Sequence, residues 1–248
     1  MRYEEFTIEG RNAVTEAFRS GKTIDKLFIQ DGCHDGPINS IVRDAKKADT
    51  IVNYVSKERL DKMSKTGKHQ GVIAYAAAYE YATVEQILHA AREKNEEPFI
   101  FILDNIEDPH NLGAIIRTAN LAGAHGVIIP KRRAAGLTAT VAKTSAGALN
   151  YTPVAKVTNI SATIEELKKE GMWFVCADMG GEVMYNLNLT GSIGLVIGNE
   201  GEGVSRLVKE KCDFIASIPM KGDIDSLNAS VAAGVLAYEI VRQKIYKS

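Results

Sequence analysis

At 248 residues the chain has room for one large domain or two small ones. Its 45% apolar and 25% charged residues are ordinary for a globular protein, and no run of 18 apolar residues is present to cross a membrane. A formal net charge of −1 excludes a generally basic binder of nucleic acid, so any such partner has to be met by a local basic patch.

Cys33, Cys176 and Cys212 are odd in number, far apart and without a C-x-x-C pair. That pattern fits reduced thiols in a cytosol and argues against a zinc site. The five histidines are scattered without ligand spacing, so no metal is expected. Met1-Arg2-Tyr3-Glu4-Glu5 starts no signal peptide, and the expected location is cytoplasmic.

Residues 1–80 read as a small α/β domain. Arg11 to Arg19 has helical spacing through Val14, Ala17 and Phe18, and Lys26 to Ile29 reads as a strand. Ile38, Ile41, Val42 and Ala45 form a helical stripe before a strand at Ile51 to Val55. A short helix is predicted at Lys57 to Met63 and a last strand at Val72 to Ala78. Between these two lies a polar loop, Ser64 to Gly71, which carries Lys65 and Lys68. It reads either as an RNA-backbone contact or as a mobile hairpin loop. A helical pattern at Thr83 to Lys94 runs into Asn95-Glu96-Glu97-Pro98, so residues 81–98 are expected as a linker.

The second domain is expected over residues 99–248. It starts with the strand Phe99 to Leu103 and a polar loop, Asp104 to Asn111. Asn111 is the predicted N-cap of a helix from Leu112 to Ala122, in which Leu112, Ile115, Ile116 and Ala119 share one face. Arg117 projects away from that face; it reads as solvated or as directed at the ligand edge. Val127 to Pro130 is the next strand, followed by Lys131-Arg132-Arg133. Residues 99–160 hold six Lys/Arg against three Asp/Glu, which gives this half the positive field that the whole chain lacks. The small, polar run Lys143 to Ala148 suits close backbone approach. A helix at Ile164 to Lys169, a strand at Trp173 to Ala177 and the loop Asp178 to Gly181 follow. Strands alternating with helices predict a parallel sheet.

The stretch from Ile193 to Ala233 carries the densest pattern. A buried strand, Ile193 to Ile197, leads into Gly198-Asn199-Glu200-Gly201-Glu202-Gly203 and a helix start at Val204 to Lys211. A second strand, Phe214 to Ile218, ends at Pro219. The loop Met220 to Asp225 then leads to Ser226-Leu227-Asn228 and a long final helix, Asn228 to Tyr246. Two loops thus leave two strand ends on the edge where open α/β sheets bind ligands. The spacing G-x-x-G-x-G is not the dinucleotide fingerprint, and there is no G-K-[ST]. Glu200 and Glu202 would repel a pyrophosphate. The loop reads as a tight turn with solvated acids, or as the seat of a neutral or cationic ligand. The final helix is apolar around much of its girth (Val231, Val235, Leu236, Tyr238, Ile240, Val241, Ile245), which predicts packing on its own sheet and on another subunit.

Three stretches together resemble the SpoU, or TrmH-type, RNA 2′-O-ribose methyltransferases. Asp108-Pro109-His110-Asn111-Leu112-Gly113 through Ala119 looks like their first motif, Ile197 to Gly203 their second, and Ile218-Pro219-Met220 through Ser226 to Ala232 their third. Gly10-Arg11-Asn12-Ala13-Val14 and His69-Gln70-Gly71-Val72 resemble the substrate-binding domain of the 23S ribosomal RNA guanosine-2′-O-methyltransferase branch.

The resemblance implies an α/β methyltransferase domain with a deep trefoil knot, an exception to the rule against knots, behind a small N-terminal RNA substrate-binding domain. It implies S-adenosylmethionine as cofactor, held by Ala177, Gly198, Asn199, Gly203, Ile218, Met220 and Leu227. It also implies a homodimer through the final helix, with no membrane or metal. The implied substrate is a guanosine of 23S ribosomal RNA. Transfer RNA or another ribosomal RNA site is the alternative, and a non-catalytic RNA-binding protein of the same fold is the reading from a different class.

Asn111, Arg117, Glu200, Ser226 and Asn228 match the family's active-site positions. A guanidinium, with a pKa above about 12, is an awkward base. Arg117 is therefore read first as a clamp on target phosphate and ribose, and second as a proton acceptor. Asn111 and Asn228 would orient the ribose or the methionine part, and Glu200 would anchor the loops or hold Arg117. Ser226 and Asn228 also read as plain N-caps. The expected RNA contacts are Arg11, Lys65 and Lys68 in the first domain and Lys131, Arg132 and Arg133 in the second.

Overall fold

The computed structural model describes residues 6–224 and 226–246. Met1 to Glu5, the stretch read above for a targeting signal, lies outside the described residues, as does Asp225 in the last loop. The chain forms two compact units, one of residues up to 80 with 136–139, the other of residues 81–135 with 140 onward.

The first unit is a four-stranded sheet in the order β1 (Phe6–Glu9), β4 (Val72–Ala76), β2 (Ile24–Gln30), β3 (Ile51–Val55). β2 and β3 are parallel, and the other two pairings are antiparallel. Helices α1 (Arg11–Arg19) and α2 (Gly36–Lys47) bury Val14, Ile38 and Ile41 against Leu27 and Ile29 of the sheet. The short α3 (Lys57–Met63) buries Leu60 beside Phe28 and Ile73. Apart from β1, which is not expected, these elements form where the periodicity of the sequence predicts them.

The second unit opens with α4 (Val84–Glu93). A reciprocal capping box between Thr83 and Gln86 starts this helix. Residues 81–98 are thus largely helical, and Ile87 and Leu88 are buried in the core of this unit with Ile100, Ile128 and Phe174. Its sheet has six strands in the order β10 (Phe214–Ser217), β8 (Trp173–Val183), β9 (Ile193–Gly198), β5 (Phe99–Asp104), β6 (Gly126–Pro130), β7 (Val154–Val157). Every pairing is parallel. β5, β6 and β7 run outward on one side, and β8, β9 and β10 lie on the other. The order therefore reverses at the β5/β9 boundary, the point where open α/β sheets place their ligands. β5 and β9 are buried along their whole length, as strands covered on both faces must be.

Two local expectations are corrected. Helix α5 runs from Pro109 to Leu121, and its N-cap is Asp108, not Asn111. The Asp108 carboxylate accepts from the backbone N–H of His110 (3.0 Å) and of Asn111 (3.4 Å). Pro109 fits the first helical position because it has no N–H to leave unpaired. Asn111 is thereby freed for another task. Second, β8 does not stop at Ala177. Its pairing with β10 jumps from Cys176 to Glu182, so residues 177–181 bulge out of the ladder before the strand resumes. The bulge is possible because the Gly181 Cα lies so close to the Ile215 carbonyl that a Cβ would fall 2.4 Å from its oxygen.

Helices α6 (Ala139–Thr144), α7 (Ile160–Lys169) and α8 (Arg206–Lys209) come next in the chain. The last helix, α9 (Ala229–Ile245), follows edge strand β10 yet packs on α5 and β9. It buries Ala233, Leu236, Ala237 and Ile240. Val231, Tyr238 and Ile245, seven residues apart, remain 49%, 51% and 69% exposed.

Candidate active site

Three stretches meet at the C-terminal edge of the sheet beside the β5/β9 boundary: the bulge at 177–179, the glycine loop at 198–203, and Ile218 and Met220 with Ser226 and Leu227. They enclose a cavity of about 280 Å³. All seven residues expected at the cofactor, Ala177, Gly198, Asn199, Gly203, Ile218, Met220 and Leu227, line it, together with Ser226 and the first turn of α9 at Ala229 and Ala232.

The glycine loop is shaped by its own asparagine. Asn199 Oδ1 accepts from the N–H groups of Gly201 (2.7 Å) and Glu202 (2.9 Å), and the Gly203 N–H donates to the Asn199 carbonyl at 3.0 Å. This closes the loop on itself. A side chain at Gly198 is impossible, since its Cβ would lie 2.1 Å from the Gly203 backbone. The bulge is fixed by Asp178, which accepts from the Gly180 N–H at 2.9 Å and pairs with Lys209 at 2.8 Å. The Lys209 ammonium holds the Asp178 carboxyl below its ordinary range. The Ser205 N–H at the start of α8 (Arg206–Lys209) donates to buried Asp104 at 2.7 Å, tying the glycine loop to the end of β5.

Glu200 joins the three motif segments named above. One of its oxygens, Oε1, accepts from Asn111 Nδ2 (3.0 Å), from Asn228 Nδ2 and from the Ala229 N–H (3.4 Å). Asn228 Nδ2 also donates to Asn111 Oδ1 at 3.0 Å. Asn228 Oδ1 caps α9 by accepting from the N–H groups of Ser230 (2.9 Å) and Val231 (3.3 Å). Asn228 is therefore an N-cap and a member of the polar cluster at once. Ser226 makes no such cap.

A second cavity, of about 560 Å³, adjoins the first. Asn199, Glu200, Gly201 and Glu202 line both. Its other wall comes from the loop after β5 (Asn105 to Asp108), from Asn111 and from Arg133. Arg117 lines neither cavity. It is exposed on α5, one turn before exposed Leu121. Arg132 is exposed as well and Lys131 is half-buried.

In the first unit, Arg11 is committed within the fold. Its Nη2 pairs with Asp35 at 2.7 Å and its Nε donates to the Gln70 carbonyl at 3.1 Å. Arg11, Lys57, Gln70 and buried His69 border an open groove of about 720 Å³. Lys65 and Lys68 are exposed on the loop beyond it. That loop is gathered around Glu9, whose carboxylate accepts from Ser64 Oγ (2.5 Å), Lys65 N–H (2.6 Å), and Thr66 N–H and Oγ1. Partial burial raises the Glu9 pKa, but these donors outweigh it and hold the group at about 2.

Three roles come from the structure alone: Asp178 as the lock of the bulge, Asp108 as a cap and Glu107 at the second cavity. Only Asp108 carried a local signal, the proline that follows it. Among the described residues no group of three His, Cys, Asp or Glu side chains is placed to hold a metal, and the three cysteines are free thiols. No helix among them is long and apolar enough to cross a membrane.

Comparison with known proteins returns two matching families. Residues 98–238 match the SpoU rRNA methylase family, and residues 7–82 match the RNA 2′-O ribose methyltransferase substrate-binding family. A Bacillus subtilis protein, YacO, assigned by name to the TrmH family of tRNA/rRNA methyltransferases, is 51% identical over 95% of this chain and 94% of its own. The crystal structure of the SpoU methyltransferase AviRb from Streptomyces viridochromogenes, in complex with AdoMet, is similar over 98% of this chain and 91% of that one. It has a TM-score of 0.61 and 26% identity. The A. aeolicus TrmH/SpoU tRNA modifying enzyme covers 66% of this chain and 85% of its own, with a TM-score of 0.56 and 30% identity.

Proposed function

This chain belongs to the SpoU/TrmH family of RNA methyltransferases, and from that membership we propose that it uses S-adenosylmethionine to methylate a ribose 2′-oxygen, that of a guanosine in 23S ribosomal RNA. The observation that carries this reading is the convergence of all seven expected cofactor residues on one cavity at the sheet's switch point.

The lining suits the cofactor. Ile197, Ile218, Met220 and Leu227 offer apolar contact for an adenosine, and among the described residues no Lys or Arg lines the cavity. Asp178, Glu200 and Glu202 give it a negative potential, which favours a sulfonium cation and disfavours a pyrophosphate. When bound, the cofactor supplies an activated methyl group. The chain itself has to bring a weakly nucleophilic 2′-hydroxyl into line with it, and holding two reactants in attack geometry lowers a barrier by up to about 7–11 kcal/mol.

Within this reading Asn111 and Asn228 orient the ribose, and Glu200 holds both amides in place. Ser226 lies at the cavity mouth. Arg117 clamps the target phosphate and ribose, with its guanidinium stabilising the developing alkoxide. Because Arg117 borders neither cavity of its own chain, it serves the site of a second copy. The enzyme is then a homodimer formed through the α5/α9 face, where Val231, Tyr238 and Ile245 make an apolar stripe at heptad spacing. The segment from β10 to α9 threads the deep trefoil knot; in support, α9 returns from the edge strand to pack beside the sheet centre. The first unit reads RNA through Lys65 and Lys68, with Arg11 shaping the groove, and Lys131 and Arg132 meet the backbone near the catalytic edge. The site of action is the cytoplasm.

Two measurements test the proposal. Isothermal titration should show S-adenosylmethionine binding, and its absence would sink the enzyme reading in favour of a binding protein. Mapping of 2′-O-methyl nucleosides in RNA from a strain lacking the gene should show one missing methyl group in 23S ribosomal RNA. Loss from a transfer RNA instead would reassign the substrate.

A further inference from the structure

The second cavity contains two opposite charges that do not pair. Glu107 and Arg133 both line it, yet among the described residues neither has a hydrogen-bond or ion-pair partner. Their backbones hold the two loops that carry them. Arg133 is in the left-handed region at φ +55°, as is Asn105 at φ +61°. The Ala135 N–H donates to the Ile106 carbonyl at 2.9 Å, tying one loop to the other. A non-glycine residue in that conformation costs roughly 1–3 kcal/mol and persists where its surroundings impose it. The remaining carboxylates differ from Glu107. Asp108 is occupied as a helix cap, Glu200 is held by the two asparagines, and Glu202 also faces the first cavity.

We propose that this cavity receives the base of the target nucleotide and selects guanine, with Glu107 accepting from its N1–H and 2-amino group and Arg133 donating to its O6 and N7. The inference rests on the methyltransferase reading above, because the cavity shares a four-residue wall with the candidate cofactor cavity. Its chemistry is independent of that reading. An ionised carboxylate only accepts hydrogen bonds, and a guanidinium only donates. Guanine alone offers two adjacent N–H donors on one edge and two adjacent acceptors on the next. Adenine and cytosine would set a ring-nitrogen acceptor against the carboxylate, and uracil has a single ring donor. A volume of about 560 Å³ lies within the usual range for small-ligand sites. RNA phosphate would be repelled by the carboxylates, so a base edge, not the backbone, belongs in this cavity.

The test is isothermal titration of the full-length protein with guanosine 5′-monophosphate, inosine 5′-monophosphate and adenosine 5′-monophosphate. Inosine lacks only the 2-amino group. Guanosine monophosphate should bind tighter than the inosine nucleotide by roughly fivefold to a hundredfold. Glu107→Gln should remove most of that preference, weakening the guanosine nucleotide more than the inosine nucleotide, which loses only its N1–H contact to the carboxylate. Arg133→Ala should weaken guanosine and inosine nucleotides alike. Equal affinities in the native protein, no guanosine monophosphate binding up to its solubility limit, or a preference that survives Glu107→Gln would each overturn the assignment. S-adenosylmethionine is titrated into the same preparations. Failure of that binding beside an intact guanine preference would overturn the methyltransferase reading, and with it the role of target-base site, while the guanine site itself would stand.

Discussion

Asn228 performs two tasks with one side chain, and its two polar atoms can be separated by mutation. Asn228→Ala removes the cap of α9 and both amide bonds, and should cost about 0.5–2 kcal/mol in urea unfolding. Asn228→Asp keeps the capping oxygen but turns the donor facing Glu200 into a second carboxylate. It should recover most of the cap's contribution while still failing in methyl transfer. An active Asp variant would show that the amide contact to Glu200 has no part in the reaction. Arg117 is the opposite case, an exposed side chain without a partner among the described residues. Arg117→Ala should therefore leave both the melting temperature and S-adenosylmethionine affinity near those of the native chain while abolishing transfer. Arg117→Lys keeps the charge but not the planar fork and should not rescue it; transfer by the Lys variant would defeat the clamp.

At the scale of elements, the loop 64–68 depends on one half-buried carboxylate, that of Glu9. Glu9 has its folded pKa near 2 against an ordinary 4.5. The stability it gives is present in full above about pH 4.5, declines as pH falls from there and is gone below about 2. Amide exchange at Lys65 and Thr66 should lose protection in that window, and Glu9→Gln should erase the pH dependence. Unchanged protection at pH 2 would mean that Glu9 does not organise the loop. The same loop carries two proposed phosphate contacts. Changing Lys65 and Lys68 to Ala should flatten the plot of log RNA affinity against log salt by about 0.7–0.9 per lost contact. An unaltered slope would make both lysines merely solvated. The elements themselves were legible because apolar periods of 2 and 3.6 are set by local geometry. The lining of the first cavity was legible because three motif segments stand at recognisable separations. Other features were not. Asn111 looked like a cap because it precedes the apolar stripe, although Asp108-Pro109 held the better signal. The continuation of β8 beyond its glycines depends on where β10 pairs, which no local pattern carries. The second cavity depends on left-handed backbone turns at Asn105 and Arg133; asparagine tolerates that conformation, but arginine seldom adopts it and signals no turn in the sequence.

At the scale of the whole molecule, the proposed dimer makes a prediction that a self-contained monomer does not share. If Arg117 acts on the other copy's cavity, inactive Arg117→Ala and Asn228→Ala proteins should complement when mixed and allowed to exchange subunits. Half of the dimers are then mixed and each restores one of two sites, which gives about a quarter of native activity. No recovery, with exchange verified by mass labelling, would place Arg117 at its own chain's site. Finally, the wall formed by Asn199, Glu200, Gly201 and Glu202 stands between both cavities. Under the two proposals, a group that fills one side bears on the wall of the other. Any factor by which the methyl donor changes guanine nucleotide affinity must then equal the factor by which the nucleotide changes donor affinity. Substrate arrival would in that case register at the donor's cavity through four residues, with no moving domain needed to carry the message.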